Sequence, residues 1–282
     1  MRSSFLSAIL GLVSVVLLPV ALVAAWTSVI ATQTDVFVEE ARPLIATASV
    51  QTALTEGAVT AFETEVRLPP AAQELVVPLV REGAARVVAS PEMETVWAES
   101  MRSLHEEFTA VMEGKQPSGV DSQGRVLLAV PIAVPTLVQA LVPLGVDLDK
   151  GFAPVVNIPV VALDDLDRTR EVYSALARAG IWAPVVVAVL GLLAVLLARR
   201  RRAAAMFLSA GWALGSVALG AGVVLGRHPV VDQVPDPVVR ALANAAYGMA
   251  QRGLLTEIGI VLAVTVVLLL VIGLTALHRR RT

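Results

Sequence analysis

Four uncharged apolar runs punctuate the chain, at Phe5–Trp26, Ile181–Ala198, Ala203–Gly226 and Ile258–Leu277. About 20 consecutive apolar residues carry a helix across the roughly 30 Å hydrocarbon core of a bilayer. A helix also satisfies its own backbone groups there. The pattern predicts four transmembrane helices. Val23-Ala24-Ala25 offers a small-residue cleavage site of the signal-peptide kind. The apolar region of such peptides is usually about 7–15 residues, and Phe5–Ala25 is longer. The expectation is an uncleaved anchor over residues 1–26.

Between the first two runs the pattern becomes amphipathic. Thr34-Asp35 is positioned to cap a helix whose apolar positions include Val36, Val38, Leu44, Ile45, Val50 and Leu54. A second helix is predicted over Ala71–Ala89, with Leu75, Val76, Leu79 and Val80 as its apolar positions. A third starts at Ser90-Pro91-Glu92, where an N-cap, a preorganised first-turn proline and an acid favoured by the helix dipole follow one another. Trp97, Met101, Leu104, Phe108 and Val111 recur at helical spacing up to Glu113, and Gly114 is the predicted stop.

Further on, Gly124–Val130 reads as a strand after a turn at Asp121–Gly124, and Val155–Val161 as a second. Pro159 directs the second to an edge or irregular position. A short helix is predicted over Pro135–Leu144, and a last one, capped by Asp164 or Asp165, reaches Gly180 and points towards the second span. The predicted fold class is mainly α: four transmembrane helices plus a mostly helical extracytoplasmic domain with a small two-stranded β element. The domains are an anchor (1–26), the exported part (27–180) and a three-helix membrane region (181–282) with an outer amphipathic segment (227–257).

Charge supplies the orientation. Arg2, Arg199–Arg202 and Arg279–Arg281 all fall on one side if the chain crosses four times. The positive-inside rule makes that side the cytoplasm and places the chain in the cell membrane with both termini inside. Trp26 and Trp182 then fall at the outer interface, which suits their amphipathic rings. Residues 27–180 hold 21 acidic and 11 basic side chains, a balance of −10. Such a surface disfavours nucleic acid and attracts cations or basic partners. With no cysteine, disulfides and thiolate chemistry are excluded.

The densest polar group is Trp97, Arg102, His105 and Glu106 on the third amphipathic helix, with Arg102 and His105 three apart on one face. His105-Glu106 begins like an HExxH zinc motif, but position 109 is Thr, so the second ligand is missing. A packing histidine is the plainer reading. Asp164, Asp165 and Asp167, like Asp147 and Asp149, are read as caps and loop acids in preference to a cation site. The sequence therefore predicts no catalytic residue, metal or cofactor.

Gly211, Gly215, Ala218 and Gly222 form a smooth stripe on the third span. It is expected to pack against the second or fourth span, or to support self-association over 203–226. No ionisable side chain lies within any of the four apolar runs, which argues against a pump or coupled transporter. In the outer segment, Asp236-Pro237 starts an amphipathic helix with Val239, Leu242, Ala246 and Met249 along one side. It can lie on the membrane surface or dock under the exported domain, and docking is the expectation because its only cations are Arg227, Arg240 and Arg252.

With Ser90-Pro91, Trp97, Arg102, His105, Gly114, Arg170 and the run Arg199–Arg202, the layout resembles a family of uncharacterised actinobacterial integral membrane proteins. Its members have one N-terminal span, a large exported domain and three C-terminal spans. The resemblance covers most of the chain on a sparse motif, and Met101 stands where the pattern commonly has Asn. It implies topology and no activity. The first expectation for function is a non-enzymatic cell-envelope accessory or scaffold protein acting on a protein partner. The alternatives are an extracytoplasmic sensor relaying through a partner, and a membrane-bound enzyme with outer carboxylates around His105.

Overall fold

A computed structural model of the chain describes residues 2–66, 69–115, 125–132, 155–162, 166–231, 233–234 and 237–281. The chain divides into two compact units. One, the bundle, comprises residues 1–32, 171–228 and 250–282; the other, the mixed unit, comprises 33–170 and 229–249. The turn at Asp121–Gly124, the short helix at Pro135–Leu144 and the acids Asp147, Asp149, Asp164 and Asp165 lie outside the described residues.

The bundle is built on α1 (Arg2–Thr32), which extends beyond the apolar run at both ends. Around it pack the apolar parts of α6 (Leu166–Leu197), α7 (Arg201–Leu225) and α9 (Pro237–Arg281). Leu18, Ala21 and Leu22 of α1 form a buried cluster with Val187 and Ile258. Interhelical hydrogen bonds reinforce it: Ser7 Oγ donates to the Ala194 carbonyl (2.6 Å), Ser14 Oγ to the Val187 carbonyl (2.9 Å), and Trp212 Nε1 to Ser14 Oγ (3.2 Å). Many outward side chains are apolar, Phe5, Leu12, Leu192, Phe207, Leu214 and Leu270 among them. Three helices are long and apolar enough to cross a membrane, or four with α6 counted as one bent span.

Several expectations change here. The helix predicted before Gly180 and the second apolar run are one element, bent by 46° between Gly180 and Trp182. Pro184 explains the bend: its ring meets the carbonyl four residues back and removes a hydrogen bond. The outer amphipathic segment and the fourth run are likewise joined in α9, whose 45 residues span about 68 Å. That is more than twice the roughly 30 Å hydrocarbon core. Within α9, Glu257 Oε2 is buried with no hydrogen-bond partner. The glycine stripe meets α1, in place of the expected second or fourth span. A methyl at Gly211 would stand 2.5 Å from Val15 Cγ2, and one at Gly215 3.5 Å from Pro19 Cγ. Ala218 is exposed and Gly222 has open space. The neighbour of α9 on this helix is Gly220, which faces Leu255 and Ile258.

The start of α1 and the α6–α7 turn lie at one end of the bundle. Ser4 and Arg199 line one crevice there. At the opposite end the start of the apolar half of α9 meets the end of α1, where Trp26 packs on Gly253.

The mixed unit opens with α2 (Thr34–Ala41), a 3-10 turn (Arg42–Ala46) and α3 (Ala48–Glu65). The sequence predicted one helix here. Pro43 breaks it, because it lacks an N–H and constrains Arg42. The N-cap of α2 is Gln33; the Thr34 hydroxyl is used elsewhere. Helix α4 (Pro70–Val88) buries Val76, Val80, Ala84 and Val88, whereas Leu75 and Leu79 are exposed. Helix α5 (Pro91–Met112) starts from Ser90 in the extended backbone of an N-cap, without a side-chain cap bond, and ends before Gly114 at φ 82°. That left-handed value favours glycine, as the predicted stop requires. Strands β1 (Arg125–Pro131) and β2 (Val155–Ala162) pair antiparallel. The register slips between Val126 and Leu127, leaving Val160 without a partner beside Pro159. This bulge is where a proline in a strand is tolerated. A short α8 (Arg227–Val231) follows α7.

Candidate functional site

Helix α5 is the spine of the mixed unit, and the polar group predicted on it is distributed over three environments. Trp97 is buried at the core, 1% exposed, and its Nε1 donates to the Ala41 carbonyl at 3.0 Å. That carbonyl lies where Pro43 interrupts the helical ladder, so the indole satisfies a backbone group at the break. His105 is also buried. Its Nδ1 shares a hydrogen bond with Thr34 Oγ1 at 3.0 Å, and its ring stacks on Phe37 with centroids 4.6 Å apart. Arg102 points outward and pairs with Asp35 at 2.8 Å. Glu106 is exposed.

These four residues do not face one cleft. Trp97, His105 and Arg102 each fasten α5 to α2 or its end, at core, edge and surface respectively. Arg170 fastens the other end of α5, its Nε donating to the Val111 carbonyl at 2.9 Å. A cation on the last carbonyls of a helix is favoured by the dipole. Among the described residues no group of three or more His, Asp or Glu side chains could hold a metal ion.

Beside this spine lies a concave feature that the sequence did not reveal: an apolar cavity of 330 Å³. Phe37, Trp97, Met101 and Leu128 form one part of its wall. Val239, Leu242, Ala246 and Met249, the apolar side of the amphipathic helix, form another. The volume sits at the low end of the roughly 300–1,000 Å³ typical of small-molecule sites. Among the described residues no charged side chain lines the cavity, so the wall they form suits a small apolar molecule. Its traces in the sequence were the apolar positions Trp97, Met101 and Leu104 on one helix and Val239, Leu242, Ala246 and Met249 on another. The contributions of Phe37 and Leu128 depend on tertiary contacts.

Two further surface features matter. Leu75 and Leu79, one helical turn apart on α4, are 68% and 47% exposed and sit beside the exposed acids Glu74 and Glu82. Nearby, Arg81 grips Glu56 with two hydrogen bonds of 2.8 and 2.9 Å. That grip, assisted by the arginine charge and opposed by slight burial, holds the Glu56 carboxyl below the usual carboxylate range.

No protein-family model, curated protein or solved structure matches the chain.

Proposed function

We propose that the chain is a multi-pass cell-membrane protein with cytoplasmic termini and residues 27–180 outside, serving as a non-enzymatic accessory or scaffold for a basic protein partner. The topology is supported by Arg199 and Arg200 standing beside the start of α1, by the many exposed apolar side chains of the bundle, and by the three arginine groups of the sequence. The non-enzymatic role is supported by the commitment of Trp97, Arg102 and His105 to partners within the fold. The observation that carries the partner reading is the exposed Leu75–Leu79 pair, flanked by Glu74 and by the Glu82–Arg86 ion pair. Apolar anchors rimmed by charge are a common form of protein contact, and the acidic excess over residues 27–180 favours a basic counterpart.

Chemical crosslinking in intact cells, followed by gentle solubilisation, tests this. A partner should be recovered with the native chain and lost with Leu75→Glu/Leu79→Glu, at unchanged melting temperature. Recovery of no partner, or full recovery with the double variant, counts against it.

A second reading, a sensor that relays through a partner's helices, is favoured by the 330 Å³ cavity. Small apolar molecules should then raise the melting temperature of the full-length protein, and Ala246→Phe, which fills the cavity, should remove the effect.

A further inference from the structure

At the arginine-bearing end of the bundle a crevice of 610 Å³ opens between α1, the end of α6 and the start of α7. Its walls are small on three sides: Ala8 and Gly11 on α1, Ala194 on α6, Ala204 and Gly211 on α7. Ser4 and Ser7 also line it, the Ser7 hydroxyl being spent on the Ala194 carbonyl at 2.6 Å, so the wall is mostly apolar. Leu12 and Phe207, 65% and 85% exposed, flank the opening. At the mouth stand Arg199 and Arg200, both exposed and neither paired with an acid among the described residues.

An apolar slot that ends in two unpaired guanidinium groups has the polarity of a phospholipid: hydrocarbon along its length, phosphate at its end. Guanidinium binds phosphate oxygens bidentately. Basic pockets between membrane helices on the cytoplasmic side hold anionic headgroups. A zwitterionic headgroup carries its own cation beside the phosphate and gains less from the two arginines. We infer that this crevice seats one anionic phospholipid per chain, its acyl chain against the small residues of α1 and α7 and its phosphate on Arg199 and Arg200. The inference rests on the membrane-spanning reading of the bundle and is independent of any protein partner.

The test uses full-length protein, delipidated in detergent and titrated with dioleoyl phosphatidylglycerol while native mass spectrometry counts bound lipid. One lipid should bind per chain, more tightly than dioleoyl phosphatidylcholine. Arg199→Gln/Arg200→Gln should weaken it by about fivefold per arginine, roughly twenty-five-fold in all. Ala204→Phe, which narrows the slot, should weaken both lipids. The double arginine variant changes only exposed residues, so it decides the matter if Ala204→Phe fails to fold. Equal binding of the two lipids, or unchanged binding by the arginine variant, overturns the proposal. So does full competition by inorganic phosphate, which would mean an ion at the arginines alone. A lipid-free dimer broken by Ala204→Phe would give the slot to a second copy and overturn it as well. Release of the chain from membranes by alkaline carbonate without detergent would instead defeat the membrane reading beneath it.

Discussion

Trp97 fills the centre of the mixed unit and satisfies the Ala41 carbonyl, so Trp97→Ala removes packing and a hydrogen bond together. A loss of about 3–5 kcal/mol is expected for a truncation of this size. Arg102→Ala, at a pair whose side chains are 44% and 88% exposed, should cost only about 0–1 kcal/mol. Denaturant unfolding of the solubilised protein separates the two, and equal losses would contradict the assignment of core and surface roles. Glu56 and Arg81 give a pH signature. The Glu56 carboxyl is held below its ordinary range chiefly by the hydrogen bond from Arg81. A depressed carboxyl contributes stability that is complete above the unfolded pKa and disappears as pH falls through the lower folded one. Arg81→Ala should therefore melt below the native protein at neutral pH and converge with it in acid. A gap that widens in acid would refute the pairing. The sequence identified Trp97, Arg102 and His105 as a group because they share a helix. Their partners Ala41, Asp35 and Thr34 lie 56, 67 and 71 residues upstream, and no local spacing reveals a contact that distant.

At the scale of elements, local chemistry was readable and neighbours were not. Gly114 ends α5 at positive φ, Pro91 starts it, and Pro159 lies at a bulge, each for a reason contained in the residue itself. Pro43 was readable by the same logic, yet the apolar positions on either side suggested one continuous helix. The glycine stripe was visible as a spacing, but spacing does not say which helix comes near. Because α1 fills that role at Gly211 and leaves Gly222 open, the two glycines should behave oppositely. Gly211→Leu should lower the melting temperature of the bundle, while Gly222→Leu should leave it unchanged. The reverse order would place the α1 contact elsewhere. Ser14 ties α1 to both α6 and α7, and Ser14→Ala should cost about 0.6–1.7 kcal/mol, from the average to the largest value for a hydrogen bond between membrane helices. An unaltered unfolding midpoint would remove that tie from the account.

At the scale of the whole molecule, four apolar runs and three arginine groups carried most of what the sequence could say. The runs became three helices long and apolar enough to cross a membrane and one bent element, with many apolar side chains exposed along the bundle. What the runs concealed was continuity. Helices α6 and α9 continue across the change from polar to apolar composition, because hydropathy reports the solvent of a segment and not where its backbone hydrogen bonds stop. The cavity and the lipid crevice were equally hidden, since each is walled by residues from elements far apart in sequence. Orientation is the claim on which the proposed roles of both features rest. The chain has no cysteine, so single thiols can be introduced at will. Ser103→Cys, on the exposed face of α5, and Thr282→Cys, at the C-terminus, should be challenged with a membrane-impermeant maleimide. In intact cells the first should label fully and the second only after lysis. Labelling of Thr282→Cys in intact cells, or protection of Ser103→Cys, would contradict the topology.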